Sequence, residues 1–476
     1  MNWLFILSYM GVQLCIGLWI AKRIHSESDY FLGGRKVSLP LAAFSLFATW
    51  FGAETCMGSS AAVYRQGISG SRADPFGFSL CLLLMGLLLA GRLRRGNYVT
   101  LADYYRERYG SAVEKLAVWI IVPSSLIWGA AQIRAFGQVI SSTTPLPVEP
   151  AIAVAALFVL MYTFMGGLLG DIYTDFIQGI FIIIGLVILL FVCLTTSAGW
   201  REFLAGMGPA RWSLVGPGES VMARLDRWMV PVLGSLVTQE LIARVLAAKS
   251  VSVARRASFI ACGIYLTLGA IPVFLGLLGP LLFPRLGDSE QFLIRLAGQY
   301  LPNILFVVFS GALISAIIST VDSILLAIAA LASHNLIVPL FGVRSDRSRV
   351  LIGRIAVLAS GITAYVIALH GKGIYELVLI ASSFGTAGVL VITLLGLYSR
   401  FGGQAAALSS LVAGLLLTPL ATYALRLEAP FLSSILGSLA AFAAGAALAK
   451  KWASVVKLWP SKQRIRAQHV DGRRRL

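Results

Sequence analysis

Charge is what this chain has least of. Charged residues fill 13% of its 476 positions against 58% hydrophobic ones, a balance no soluble domain of this length shows. Histidine is scarce as well. The four present are widely scattered, which argues against a zinc centre or a histidine-based catalytic site. The five cysteines (Cys15, Cys56, Cys81, Cys193 and Cys262) are odd in number, lie inside apolar runs and lack metal-ligand spacing. A disulfide framework is therefore not expected. No phosphate loop, nucleophile motif or metal-ligand cluster appears, so the chain is expected not to be an enzyme and to carry no cofactor. Nor is any connection between apolar runs long enough to hold a soluble domain.

What the chain has is long apolar runs, each near the ~20 residues that cross a ~30 Å hydrocarbon core. They predict an all-α membrane protein with thirteen spans near 3–21, 38–64, 74–91, 113–138, 149–166, 172–196, 228–246, 258–283, 303–332, 350–370, 374–398, 403–424 and 430–449. The first run has no basic residue before it, and Lys22 and Arg23 follow it. That is the reverse of a cleaved signal peptide, so a retained helix with its N-terminus outside is expected. Alternating connections then leave the C-terminus in the cytoplasm. Most of the 39 lysines and arginines fall on the inner side in this arrangement, as the positive-inside rule requires. The net charge of +18 accordingly needs no nucleic acid as partner. Membrane lipid is a partner by construction, and the basic tail at 450–476 is a candidate for anionic lipid. Thr100–Tyr109 (TLADYYRERY) reads as a short amphipathic helix on the inner surface. The compact chain without large extramembrane domains suggests a bacterial inner membrane.

One carboxylate stands in the wrong solvent. Glu54 lies mid-span within Ala48-Thr49-Trp50-Phe51-Gly52-Ala53-Glu54-Thr55. A carboxylate at that depth costs several kcal/mol unless it faces a cavity or a partner, which marks it as functional. Gly52 beside it suggests a helix that breaks mid-membrane, as carriers use to expose backbone carbonyls. A second interruption is expected at Pro231 and Gly234, in a span that carries Glu240 and Arg244. If 3–21 stands outside the count, the interrupted spans are first and sixth of the remaining twelve. That is the pattern of a five-plus-five inverted repeat of leucine-transporter type, in one transmembrane domain. Its repeats would be 38–196 and 228–398, followed by two C-terminal helices at 403–449.

Several stretches together resemble the sodium:solute symporter family. They are Ser28–Arg35 (SDYFLGGR), Phe47–Gly58 (FATWFGAETCMG), Gly166-Gly167 with Tyr173–Gln178, Ala243–Lys249 (ARVLAAK), Ser315–Ser323 (SAIISTVDS) and Gly396–Arg400. Each is weak alone, and six in order over most of the chain are strong. The first core helix looks most like that of choline-type carriers.

The resemblance implies a sodium site built from the carbonyls of Ala48, Phe51 and Ala316 with the side chains of Ser319 and Thr320. The chemistry suits it: sodium takes a small cage of hard oxygens, which hydroxyls and free carbonyls supply without fixed charge. A second cation or release site is implied at Asp175, with Asp322 and Ser323 as partners. A structural pairing with Arg244 is the alternative for these carboxylates. Two close carboxylates bind a cation or share a proton, because both cannot stay charged and unpaired.

Trp50 and Glu54 are the best substrate candidates, since an indole face beside a carboxylate suits an amine or quaternary ammonium. Thr55, Arg134, Gln239 and Glu240 complete the expected substrate set. Arg134 either holds a carboxylate, which favours an amino acid-like zwitterion, neutralises Glu54 or Glu240, or snorkels to the outer surface. The expected function is a sodium-coupled secondary active symporter that imports a small organic solute: an amine, a quaternary ammonium or an amino acid-like compound. Sodium is the coupling ion and the only metal. The alternatives are a proton-coupled carrier of the same fold working through Asp175, Asp322 and Glu240, or a solute-binding membrane sensor.

Overall fold

The computed structural model describes Gly11 and residues 24–196, 199–371 and 373–458. The expected helix at 3–21, apart from Gly11, and the end of the basic tail at 459–476 lie outside the described residues. Among the described residues the chain is helical throughout, and the one strand-like feature is an isolated bridge between Val37 and Ala248. In lipid no water satisfies the backbone, so apolar runs of this length close their hydrogen bonds within helices.

The elements that position the site are α1 (Glu27–Leu32), α2 (Leu39–Ala48), α3 (Leu101–Tyr109), α4 (Ser111–Thr143), α5 (Val148–Thr196), α6 (Val221–Met229) and α7 (Gln239–Ala247). They continue with α8 (Val251–Leu282), α9 (Asn303–Ala330), α10 (Asp346–His370), α11 (Ile374–Ser383) and α12 (Thr386–Tyr398). Two outer helices, α13 (Gln404–Pro419) and α14 (Pro430–Leu458), close the described chain. The surface helix expected at Thr100–Tyr109 is α3, and Thr100 and Asp103 form its capping box.

Among the described residues eight helices are long and apolar enough to cross a membrane, or ten if each of two bent pairs counts as one span. Thirteen are therefore not what the described residues give. Of the three missing, 3–21 lies outside the described residues, and breaks cut the spans at 38–64 and 149–166 into pieces such as Leu39–Ala48 and Val148–Met161, too short to span alone. The break expected beside Gly52 separates α2 from a π-helical stretch at Glu54–Ser59. There the Gly52 amide leaves the helical ladder and donates to the Trp50 carbonyl at 2.8 Å. The second expected interruption joins Val221–Val237 to Gln239–Ala247 at 48°, through a π turn at Val230–Gly234. A third break, not expected, bends the 374–398 span by 44° between α11 and α12.

A fourth irregularity lies inside α5, where Gly167 adopts φ 54° and ψ −172°. A Cβ there would sit 2.8 Å from the Tyr30 ring and 2.9 Å from its carbonyl, so only glycine fits both the backbone and the space. The most buried span is the α9 segment, 72% inside, and the least is α14 at 28%. α9 is thus the post of the bundle, packed against α4, α5 and α10, with α2 crossing α5 and α8 around it.

Candidate functional site

The break in α2 lies against α9. A Cβ on Gly52 would stand 2.6 Å from Thr320 Oγ1 and 3.3 Å from Gln132 Oε1, so the unwound backbone touches those groups directly. Thr320 donates its hydroxyl to the Ala316 carbonyl at 3.1 Å, and Ser319 donates to Asp175. With both protons committed, the lone pairs of the two hydroxyls remain free to accept or to ligate. The Ala48 carbonyl has lost its ordinary helical donor, since that amide belongs to Gly52 and points at Trp50. The donor set of hydroxyls and backbone carbonyls suits sodium. Among the described residues no group of three or more His, Cys, Asp or Glu side chains is arranged to hold a metal ion.

Next to Ser319 the network becomes ionic. Ser45 of α2 donates to Asp175 Oδ2 at 2.5 Å, and Arg244 of α7 donates to Ser45 Oγ at 3.1 Å. Arg244, 1% exposed, also pairs with Asp171, lies 3.5 Å from Asp175 and donates to the Glu240 carbonyl at 3.1 Å. Ser323 bonds Asp171 at 2.9 Å and meets Arg244 as well. The expected second-cation set is therefore divided: Asp175 is met by Ser319 of the expected sodium set, Ser323 serves Asp171, and Arg244 brings a fixed positive charge between them. Asp322 is fully buried, and neither of its oxygens accepts a hydrogen bond. Thr163 and Asp171 are its hydrogen-bonding neighbours, neither in ordinary geometry, and Asp175 and Arg244 its charged ones.

Beyond the break lies an aromatic and acidic chamber. Trp50 is fully buried, with ring centroids of Phe78 at 5.1 Å and Trp128 at 5.9 Å. Trp128 donates its indole N–H to Glu54 Oε2 at 2.7 Å, and the Gln132 amide donates to the same oxygen at 3.3 Å. Thr55 donates to Asp74 Oδ2 at 2.7 Å, and the Tyr265 hydroxyl lies 3.0 Å from that oxygen and 3.2 Å from the Trp50 carbonyl. Glu240, at the start of α7, has the Thr238 hydroxyl and the Trp50 indole as hydrogen-bonding neighbours, neither in ordinary hydrogen-bond geometry. Glu54 is the electrostatic neighbour of both Asp74 and Glu240. A separate cleft of about 520 Å³ is lined by Gln66, Arg72, Ala73, Val230, Phe384 and Phe431 among others. Ala73 immediately precedes Asp74, and Val230 is the first residue of the π turn.

Two expected substrate residues are elsewhere. Arg134 is drawn out of the chamber because the Ala368 carbonyl at the end of α10 accepts from it at 3.1 Å, and it lines a separate cleft with Glu149 and Asp288. It contacts neither Glu54 nor Glu240. Gln239 turns its amide oxygen to the Leu101 amide at 2.9 Å, where it caps a free donor at the start of α3. Asp74, Phe78, Trp128, Gln132, Tyr265 and Asp171 were not anticipated. The signal that could have found Trp128 and Gln132 is their i, i+4 spacing, which puts two polar tips on one face of an apolar helix. Asp74 and Tyr265 are isolated polar groups in or beside apolar runs and carry the same signal more faintly.

Comparison with known proteins adds independent observations. The model of the sodium:solute symporter family matches residues 30–414. The human high affinity choline transporter 1 is 28% identical over 388 residues, covering 76% of this chain and 67% of that protein. A high-affinity proline transporter of Bacillus subtilis is 27% identical over 375 residues, covering 75% of this chain and 78% of its own. In three dimensions the chain resembles a Na+-coupled sialic acid symporter in a substrate-bound outward-open state, with a TM-score of 0.81 at 17% identity over 94% of this chain and 97% of that one. A nucleobase-cation-symport-1 family transporter follows at a TM-score of 0.63 and 13% identity, over 92% and 97% of the two chains. At these identities the two structures establish a shared fold and nothing more.

Proposed function

The chain belongs to the sodium:solute symporter family, a family of multi-pass membrane transporters rather than enzymes, and from that premise we propose that it is a sodium-coupled secondary active symporter for a small organic cation. One observation carries this reading. The same unwound segment, residues 49–52, abuts the Thr320 hydroxyl of α9 through Gly52 and presents Trp50, beside Glu54, to the aromatic and acidic chamber. An ion and a solute that share four residues of irregular backbone each bias the shape the other needs, which is the physical content of coupling.

In this reading Ala48, Phe51, Ala316, Ser319 and Thr320 hold sodium. Trp50, Glu54, Thr55 and Glu240 contact the solute, joined by Asp74, Trp128 and Tyr265. Rings and carboxylates together favour a positively charged solute through cation–π and Coulomb attraction in a site shielded from water. Choline and proline are the solutes named for two relatives, and the chamber's acidity favours the cationic side of that pair. The architecture proposed is the five-plus-five inverted repeat within thirteen spans, with the N-terminus outside and the C-terminus in the cytoplasm of a bacterial inner membrane.

Proton coupling is the second reading, favoured by Asp322, a fully buried carboxylate beside the Asp171–Arg244–Asp175 network. The test is uptake of radiolabelled ethanolamine and choline into proteoliposomes. An inward sodium gradient that drives accumulation of either, collapsed by replacing sodium with potassium, is the expected result. Uptake driven by an inward proton gradient and indifferent to sodium would move the assignment to the second reading.

A further inference from the structure

Four carboxylate oxygens in the chamber accept no hydrogen bond. They are Glu54 Oε1, Asp74 Oδ1 and both oxygens of Glu240, on side chains 1%, 1% and 0% exposed. Two neighbouring side chains add to this inventory. Gln132 and Trp50, both 0% exposed, each leave a polar atom unpartnered at this place: Gln132 Oε1 and Trp50 Nε1. Gln132 is fixed there by its own bond to Glu54. The Trp50 donor faces Glu240, so what is left over is a surplus of acceptors: Glu54 Oε1, Asp74 Oδ1, Gln132 Oε1 and one oxygen of Glu240. Buried acceptors without donors are costly, and native proteins satisfy them with protein, water or ligand.

An organic cation can meet this inventory in two ways that differ in chemistry. A quaternary ammonium supplies charge and methyl surface to the rings and no N–H at all. A primary ammonium, amidinium or guanidinium supplies the same charge together with several N–H donors, each able to make a charge-assisted bond to a carboxylate. The aromatic rings attract both kinds, so they do not discriminate. The unpaired oxygens do.

Resting on the cation-symporter reading above, we infer that the transported solute is a cation whose nitrogen carries two or three N–H bonds, and that Asp74 and Glu240 set this preference over quaternary ammonium. Trp50 and Trp128 then shape the pocket around the head group, while Glu54, already holding Trp128 and Gln132 through one oxygen, offers the other to the solute.

The experiment is a methylation series. Binding of ethanolamine, N-methylethanolamine, N,N-dimethylethanolamine and choline to the purified full chain is measured in sodium chloride at neutral pH. All four are cations there, and each added methyl removes one N–H donor while enlarging the apolar surface. Affinity is expected to fall at each step, by about tenfold or more in total, as lost hydrogen bonds to charged partners require. In Asp74→Asn and Glu240→Gln the ethanolamine-to-choline ratio is expected to flatten, a change that a general folding defect does not produce. Choline bound as tightly as ethanolamine or tighter overturns this inference and leaves the cation reading standing. Binding of proline with none of the four cations overturns both.

Discussion

The guanidinium of Arg244 closes on the carboxylate of Asp171 with both side chains out of solvent, 1% and 0% exposed. Asp175 stands 3.5 Å from the same nitrogen, and Ser45 links Arg244 to Asp175. One arginine therefore balances two carboxylates where helices α2, α5, α7 and α9 meet. Desolvation makes such a network weak evidence for net stability, but removing one member leaves uncompensated charge behind.

Arg244→Leu is accordingly expected to destabilise the protein by about 3–5 kcal/mol, read as a large drop in unfolding temperature in detergent or as loss of folded material. Asp171→Asn is expected to cost less, because Arg244 keeps Asp175. Equal unfolding temperatures for wild type and Arg244→Leu would contradict the network described.

Gly52 is where the ion side and the solute side touch. Gly52→Ala puts a methyl 2.6 Å from Thr320 Oγ1 and is expected to raise the sodium concentration for half-maximal stabilisation at least several-fold. The double variant Gly52→Ala/Thr320→Ala regains room and thermal stability without regaining the sodium response. Full recovery of the sodium response in the double variant counts against Thr320 as a ligand.

Trp128 holds Glu54 by a 2.7 Å hydrogen bond to one oxygen. Trp128→Phe keeps most of the aromatic surface and removes that bond, so Glu54 is freed to reorient. The expected result is a loss of about 1.5–3 kcal/mol in cation binding, some tenfold or more in dissociation constant, with little change in sodium affinity. A parallel loss of both affinities would point to disturbed helix packing instead.

The interruptions of the apolar runs were legible because a carboxylate, proline or glycine inside such a run stands out locally. Glu54, Gly52 and the Pro231/Gly234 pair declared themselves that way. The α11–α12 break did not. Gly385 sits in a small-residue stretch that reads equally well as close helix packing, and its φ of 67° depends on neighbours such as Ile120 that sequence does not position. The chamber was half legible for a related reason. Trp50 and Glu54 lie on one segment, but Asp74, Trp128 and Tyr265 arrive from three others, and no spacing within one segment encodes those distances. Arg134 misled because a charge in an apolar helix signals function wherever it lies. A carbonyl at the end of a neighbouring helix was enough to draw it away.

Outside the membrane-spanning segments, acidic side chains tie α1 and α3 to the end of the α9 span. Glu27 lies 2.8 Å from His334 and 3.2 Å from Arg349, and Asp103 lies 3.2 Å from His334. Burial alone would raise both carboxyls. Hydrogen bonds and charge from His334 outweigh it, with Arg349 acting on Glu27 and the Thr100 and Val99 amides on Asp103, so both lie below their ordinary values of 4.5 and 3.8. A folded-state value below the unfolded one means stability that is present above the unfolded pKa and lost as pH falls through the folded one. The unfolding temperature is expected to fall as pH drops below about 4.5, and Glu27→Gln/Asp103→Asn to flatten that acid limb. An unchanged acid limb in the double variant would remove this pair from the account.

The central claim is a sodium site at the junction of α9 with the broken helix, and the most direct measurement is the unfolding temperature of the purified protein in sodium chloride against potassium chloride. Wild type is compared with Ser319→Ala and Thr320→Ala. An ion that binds only the folded state stabilises by mass action, about 2.7 kcal/mol at a hundredfold excess over its dissociation constant. The account predicts a sodium-specific rise in wild type that both variants lose. Coincident curves in the two salts for wild type, or a rise that survives both substitutions, would contradict it.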